Sequence, residues 1–196
     1  MSLQANATGR EVDFPDGQLL VSRTDLAGTI TFVNRAFSEI SGFSEEELLG
    51  APHNIIRHPD MPADAFADLW RTIKAGRSWE GMVKNRTRSG DHYWVRANVT
   101  PVVEGGAVTG YVSIRSKPTR EEVGQAEAGY AALREGRAGA VALEEGEMVG
   151  TGIAARAAAA WHGLRVRLVA SFALIIAMMI AVGWLGLGGM EGSNGR

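Results

Sequence analysis

Two histidines, an arginine and an aspartate fall within one short block, His53-Asn54-Ile55-Ile56-Arg57-His58-Pro59-Asp60-Met61-Pro62. Pro59 and Pro62 each hold φ near about −65° and push the preceding residue out of the α region. The polar side chains are therefore expected on a stiff, turn-rich segment and not on a long helix. A planar guanidinium with five donors, at Arg57, suits a phosphate or another flat anionic edge. The bland alternative is that Asp60 caps the following helix, Arg57 pairs with a nearby carboxylate and His58 lies on the surface. His53 and His58 make at most a pair of metal ligands, with no third suggested. Neither a nucleophile elbow nor a phosphate-binding glycine loop is present, so no enzymatic activity is expected.

Those residues need a scaffold. Residues 19–24 and 29–33 are short, β-rich and separated by Asp25-Leu26-Ala27-Gly28, which reads as a hairpin. Asn34 is a good N-cap, with Ala36, Phe37 and Ile40 on one helical face and Gly42 at the stop. Ser44-Glu45-Glu46-Glu47 is a capping box for a second short helix ending near Gly50. Residues 63–75 place Phe66, Leu69, Trp70 and Ile73 at helical spacing, closed by Gly76. Three strands follow at 79–86, 92–102 and 108–115, joined by glycine-bearing turns.

Two strands, several short helices and three antiparallel strands is the PAS order. Asp25–Gly28, Asn34, Gly42-Phe43-Ser44 and Glu47–Gly50 match the general PAS pattern. The block at 53–62, followed by Gly90-Asp91-His92-Tyr93-Trp94-Val95-Arg96-Ala97-Asn98, resembles the N-terminal FAD-binding PAS domain of Aer-type aerotaxis receptors over residues 19–119. The resemblance implies an α+β PAS fold: a five-stranded antiparallel sheet with short helices on one face. It also implies an FAD site held by Arg57, His58 and Asp60, with Trp79 and Asn85 as wall and donor at the flavin ring. Trp70 and Trp79 are otherwise ordinary core tryptophans. Asn34 and His53 are weaker candidates, because Asn34 doubles as a cap and His53 suits a satisfied buried histidine. Asn98 and Arg115 are plausible pocket residues, although alternation alone cannot say which face of a strand meets the cofactor.

The PAS domain is placed at 19–118, after an N-terminal cap at 1–18. A helical linker is expected at 119–167: Thr119-Arg120-Glu121-Glu122 is a capping box, and Val123, Ala126, Tyr130 and Leu133 form a narrow seam broken by Gly124 and Gly129. That seam could pack on the sheet, on the same helix of a second subunit, or on the rest of the linker. Residues 136–152 are flexible by composition. Residues 168–190 carry no charge and match the roughly 20 residues that cross about 30 Å of hydrocarbon. Arg156, His162, Arg165 and Arg167 precede this run, which places the PAS domain on the cytoplasmic side of the inner membrane. Residues 191–196 then read as an extracytoplasmic tail or the start of a missing region, since no HAMP module or chemotaxis signalling domain follows.

Composition narrows the function. A net charge of −2 without a basic stripe argues against nucleic acid. The absence of cysteine excludes disulfides, thiolate metal sites and light sensing through a cysteinyl–flavin adduct. The expected role is a membrane-anchored cytoplasmic redox, oxygen or energy sensor, working as a homodimer and joined in a longer chain to chemotaxis signalling partners. A haem-binding gas sensor and a cofactor-free PAS interaction module are the rival readings.

Overall fold

The computed structural model describes residues 7–136 and 141–150. The chain divides into two units, Met1–Val149 and Gly150–Arg196. β1 (Leu20–Thr24) and β2 (Ile30–Val33) form the expected hairpin. Asp25 Oδ1 shapes its turn by accepting the Ala27 and Thr29 amides at 2.9 and 2.8 Å. α1 (Arg35–Ser41) starts where Asn34 accepts the Phe37 amide and stops at Gly42, whose φ of 71° suits a residue without Cβ. α2 (Glu45–Leu48) carries the complete Ser44–Glu47 capping box.

The proline block is one 3-10 turn, His53–Ile56, followed by extended backbone at Arg57. α3 (Ala63–Lys74) then begins behind Pro62, with no side chain capping it. β3 (Trp79–Arg86), β4 (His92–Glu104) and β5 (Ala107–Ser116) complete an antiparallel sheet of order β2-β1-β5-β4-β3. One face carries Val83, Asn85, Ala97, Val99, Tyr111, Ser113 and Arg115 toward α3 and the 3-10 turn. Leu20, Ile30, Phe37, Leu48, Ile56, Ile73, Tyr93 and Val95 are buried and make the core.

α4 (Arg120–Arg134) lies on the other face. Val123, Ala126 and Tyr130 are buried; Tyr130 stacks on Trp94 with ring centres 6.3 Å apart, and its hydroxyl donates to the Met82 carbonyl at 2.6 Å. Arg96 pairs with Glu122 at 3.0 Å. Of the three placements open to the seam, the sheet takes it, so these residues are not free to face a second copy. The N-terminal segment runs beside β4, with the Val12 amide bonded to the His92 carbonyl at 2.7 Å.

The stretch read as flexible contains a hairpin, β6 (Val141–Glu144) and β7 (Glu147–Gly150). Glu145 and Gly146 both have positive φ, 56° and 95°, as a two-residue hairpin loop requires. Asp68 on α3 anchors this loop: its carboxylate accepts the Gly146 amide at 2.8 Å, the Glu145 amide at 3.2 Å and the Trp79 indole N–H at 2.8 Å. Gly129 of α4 leaves room for Met148, whose sulfur a Cβ there would strike. The helical linker expected over 119–167 is thus a helix followed by a hairpin, as far as it is described. Among the described residues no helix is long and apolar enough to cross a membrane. The span expected at 168–190, its flanking charges and the tail at 191–196 lie outside the described residues.

Candidate functional site

A cavity of about 620 Å³ lies between the inner face of the sheet, the 3-10 turn and α3. That volume is within the usual range for sites holding a small molecule or cofactor. Its walls are mostly apolar: Phe66, Leu69, Trp70 and Ile73 form one stripe of α3, facing Val83, Ala97 and Val99. Trp70 closes the edge, its ring meeting Tyr111 edge-on at 5.7 Å and packing beside Gly28. Leu26, Ala27, Asn54 and Lys74 are exposed and form the mouth.

The floor is polar and positively charged. Arg115 is only 4% exposed, and its Nη1 donates to Ser22 Oγ at 3.1 Å while Nη2 donates to His53 Nε2 at 2.8 Å. A guanidinium can only donate, so His53 accepts at Nε2 and carries its proton on Nδ1. Burial, then the adjacent Arg115 charge, pushes the His53 imidazole down to about 3, so it stays neutral. Burial likewise pulls Arg115 down to about 10. Arg115 has no carboxylate partner among the described residues, only neutral donors, acceptors and the Phe37 ring 5.2 Å away. Ser113, two residues before Arg115 on the same face of β5, has a buried hydroxyl without a hydrogen-bond partner among the described residues, and Asn85 Nδ2, at the β3 side of the cavity, is buried and unpartnered in the same way. Arg57 and Lys74 add two further cations, and no Asp or Glu is among the described residues lining the cavity. Such a site favours a ligand with an anionic part and several acceptor atoms.

The PAS fold family model matches residues 30–115. Over 137 residues the chain is 49% identical to the aerotaxis receptor of Escherichia coli strain K12, covering 70% of this chain and 27% of the receptor. The chain carries a PAS domain of the Aer type. The nitrogen fixation regulatory protein of Klebsiella pneumoniae is 30% identical over 83 residues, 42% of this chain and 17% of that protein. A solved RNA-binding light-oxygen-voltage receptor shares the fold, with TM-score 0.51 and 21% identity over 61% of this chain and 34% of its own. The chain therefore spans a minor part of the relatives it matches.

The PAS domain brings five of the expected residues into the cavity: Arg57, His53, Trp70, Asn85 and Arg115. Arg57 is half-buried, its guanidinium 3.9 Å from the Phe66 ring centre and Nη2 3.5 Å from the Met61 carbonyl. Among the described residues it has no carboxylate partner of the kind the bland reading required. His58 and Asp60 face elsewhere. His58 is buried, its Nδ1 accepting the Asp60 amide at 3.1 Å, and burial followed by the Lys84 charge pushes it down to about 4. Asp60 does not cap α3; it pairs with Lys84 at 2.8 Å. Although burial works against it, the bond and charge of Lys84 hold Asp60 below the usual carboxylate range.

Trp79 shares the inner face with Asn85 but lies over Gly81, bonded to Asp68, and does not line the cavity. Asn34 spends its side chain on the Phe37 and Val21 amides and the Leu19 carbonyl. Asn98 is on the outer face, donating to Glu80 at 3.3 Å. Ser22, Ser113, Tyr111 and Lys74 are cavity residues that sequence reasoning did not select. For Ser113 and Tyr111 the signal was their shared parity with Arg115 on one strand, which becomes usable once the inner face is known.

Proposed function

We propose that the cavity binds FAD and that the chain is the sensory part of an aerotaxis or energy-taxis receptor: a cytoplasmic redox sensor, anchored in the inner membrane and acting as a homodimer within a longer signalling chain. The observation that carries this reading is the buried Arg115 guanidinium, which has no carboxylate partner among the described residues, in a cavity also lined by the unpartnered Ser113 hydroxyl and Asn85 amide nitrogen. A flavin offers carbonyl and ring-nitrogen acceptors on one edge and an apolar ring for the Trp70, Ile73 and Val99 walls. Arg57 and Lys74 supply cations for phosphates. The similarity to the aerotaxis receptor of Escherichia coli supports the sensory role.

Bound there, FAD supplies reversible redox chemistry that changes charge and protonation at the ring. The chain's part is to exclude water with Phe66, Leu69 and Trp70 and to keep Arg115, Asn85 and Ser113 aimed at the acceptor edge. A change of charge beside Arg115 alters its balance of bonds to Ser22 and His53, and so biases the sheet between states. Haem is disfavoured because His53, the cavity histidine, already accepts from Arg115. The absorption spectrum of the purified chain tests the reading: flavin bands with FAD released on heating are expected. A Soret band would establish haem, and a colourless protein that takes up no flavin would leave an interaction module.

A further inference from the structure

β3 works on two sides. Val83 and Asn85 face the cavity, whereas Met82 and Lys84 are on the opposite side of the pleat. The Lys84 side chain is only 11% exposed, and its ammonium donates to Asp60 Oδ2 at 2.8 Å. The same ammonium is 5.8 Å from the Trp94 ring centre, and the Lys84 amide meets the Met61 sulfur at 3.2 Å. His58 is folded beneath this corner, its ring 5.7 Å from that of His92. Arg134 of α4 closes it from outside by donating to the Asp60 carbonyl.

Residues 57–61 are thus fastened to β3 at three points, the Met61 sulfur on the Lys84 amide being one. Arg57 pairs with Asn85 as an antiparallel bridge, and Asp60 pairs with Lys84 through charge. Neither Lys84 nor Asp60 lines the cavity, but Arg57 and Asn85 both do. Among the described residues the Arg57 guanidinium is fixed only by the Phe66 ring and one long contact to Met61, a residue within the same fastened strip. We infer that Lys84 is a positioning residue for ligand binding: its ion pair with Asp60 holds the 57–61 strip on β3 so that Arg57 and Asn85 face one ligand. This rests on the reading that the cavity takes FAD. It gives His58 and Asp60 a part in binding without contact to the cofactor. An enclosed ammonium also makes the pair costly to break, because the remaining charge is left poorly solvated.

The test is FAD titration of the 196-residue chain, purified in detergent and stripped of ligand, with Lys84→Met, Asp60→Asn, Lys84→Arg, Arg57→Ala and the Arg57→Ala/Lys84→Met double variant. Lys84→Met and Asp60→Asn should each weaken FAD about tenfold or more, and Lys84→Arg should stay within about threefold of the unaltered chain. The double variant should bind no worse than Arg57→Ala alone, since Lys84 acts through Arg57. A merely structural lysine predicts additive losses instead. Additive losses, or full affinity in Lys84→Met, would overturn the role of Lys84 while leaving the flavin reading intact. If Lys84→Met does not fold, the milder Asp60→Asn decides in its place through the same cycle with Arg57→Ala. Absence of FAD binding by the unaltered chain would overturn both claims.

Discussion

Two buried charges are treated in opposite ways. Asp68, 2% exposed, is surrounded by donors: the Trp79 indole, the Glu145 and Gly146 amides, and Arg71 at 2.5 Å. Arg115, 4% exposed, has only neutral hydrogen-bond partners among the described residues and shares its cavity with the unpartnered Ser113 and Asn85. A satisfied buried charge ties elements together; one without an opposite charge at a cavity wall is a demand for a ligand. The difference separates what holds this PAS domain together from what it is for.

The largest effect should come from the satisfied side. Asp68→Ala strands the Trp79, Glu145 and Gly146 donors, takes the carboxylate from Arg71, and should cost about 3–5 kcal/mol in chemical unfolding of the apo-protein. Amide exchange at Glu145 and Gly146 should accelerate, with FAD affinity moving by less than about threefold because the cavity charges remain. Lost flavin with retained stability would break the comparison.

Acid should come next. His53 and His58 are held neutral, with values near 3 and 4 against an ordinary 6.5. Between these values the unfolded chain binds more protons than the folded one, so stability is full above pH about 6.5 and falls as pH drops toward about 4. His58 alone contributes on the order of 3 kcal/mol across that window. Unfolding midpoints measured from pH 7 to 4 should decline, and His58→Gln should flatten the decline.

Arg115→Met sharpens the contrast by its sign. Removing a lone buried cation should leave apo stability unchanged or raise it by about 1–4 kcal/mol, the reverse of Asp68→Ala. Marked destabilisation would mean that Arg115 is a structural strut. The smallest effect belongs to Asn34, whose side chain caps α1 and straps β1: Asn34→Ala should cost about 0.5–2 kcal/mol and leave flavin content as it was.

Much of the fold could be read from local chemistry. The Asn34 cap, the Gly42 stop and the Ser44 and Thr119 capping boxes mark helix ends through bonds made within a few residues. The bounds of β3 were legible for the same reason, with turn residues on either side. The β6–β7 hairpin was not: Glu145 is a poor residue for φ of 56°, and the loop is held by Asp68, remote in sequence. Trp94 misleads alternation because α4 buries the outer face as well. In the site, Arg57 and Asn85 could be chosen, but His58 and Asp60 turn away at Pro59 to meet His92 and Lys84. Adjacency to a cavity residue says little once a proline redirects the chain.

The central claim is that Arg115 is the unpaired charge a flavin nucleotide answers. It is tested most directly by titrating FAD into the stripped chain and into Arg115→Met, following flavin absorbance and apo melting together. The account predicts one FAD per unaltered chain, and in Arg115→Met an affinity about tenfold weaker or worse on an apo fold at least as stable. Equal affinity in the two proteins, or no uptake by either, would contradict it.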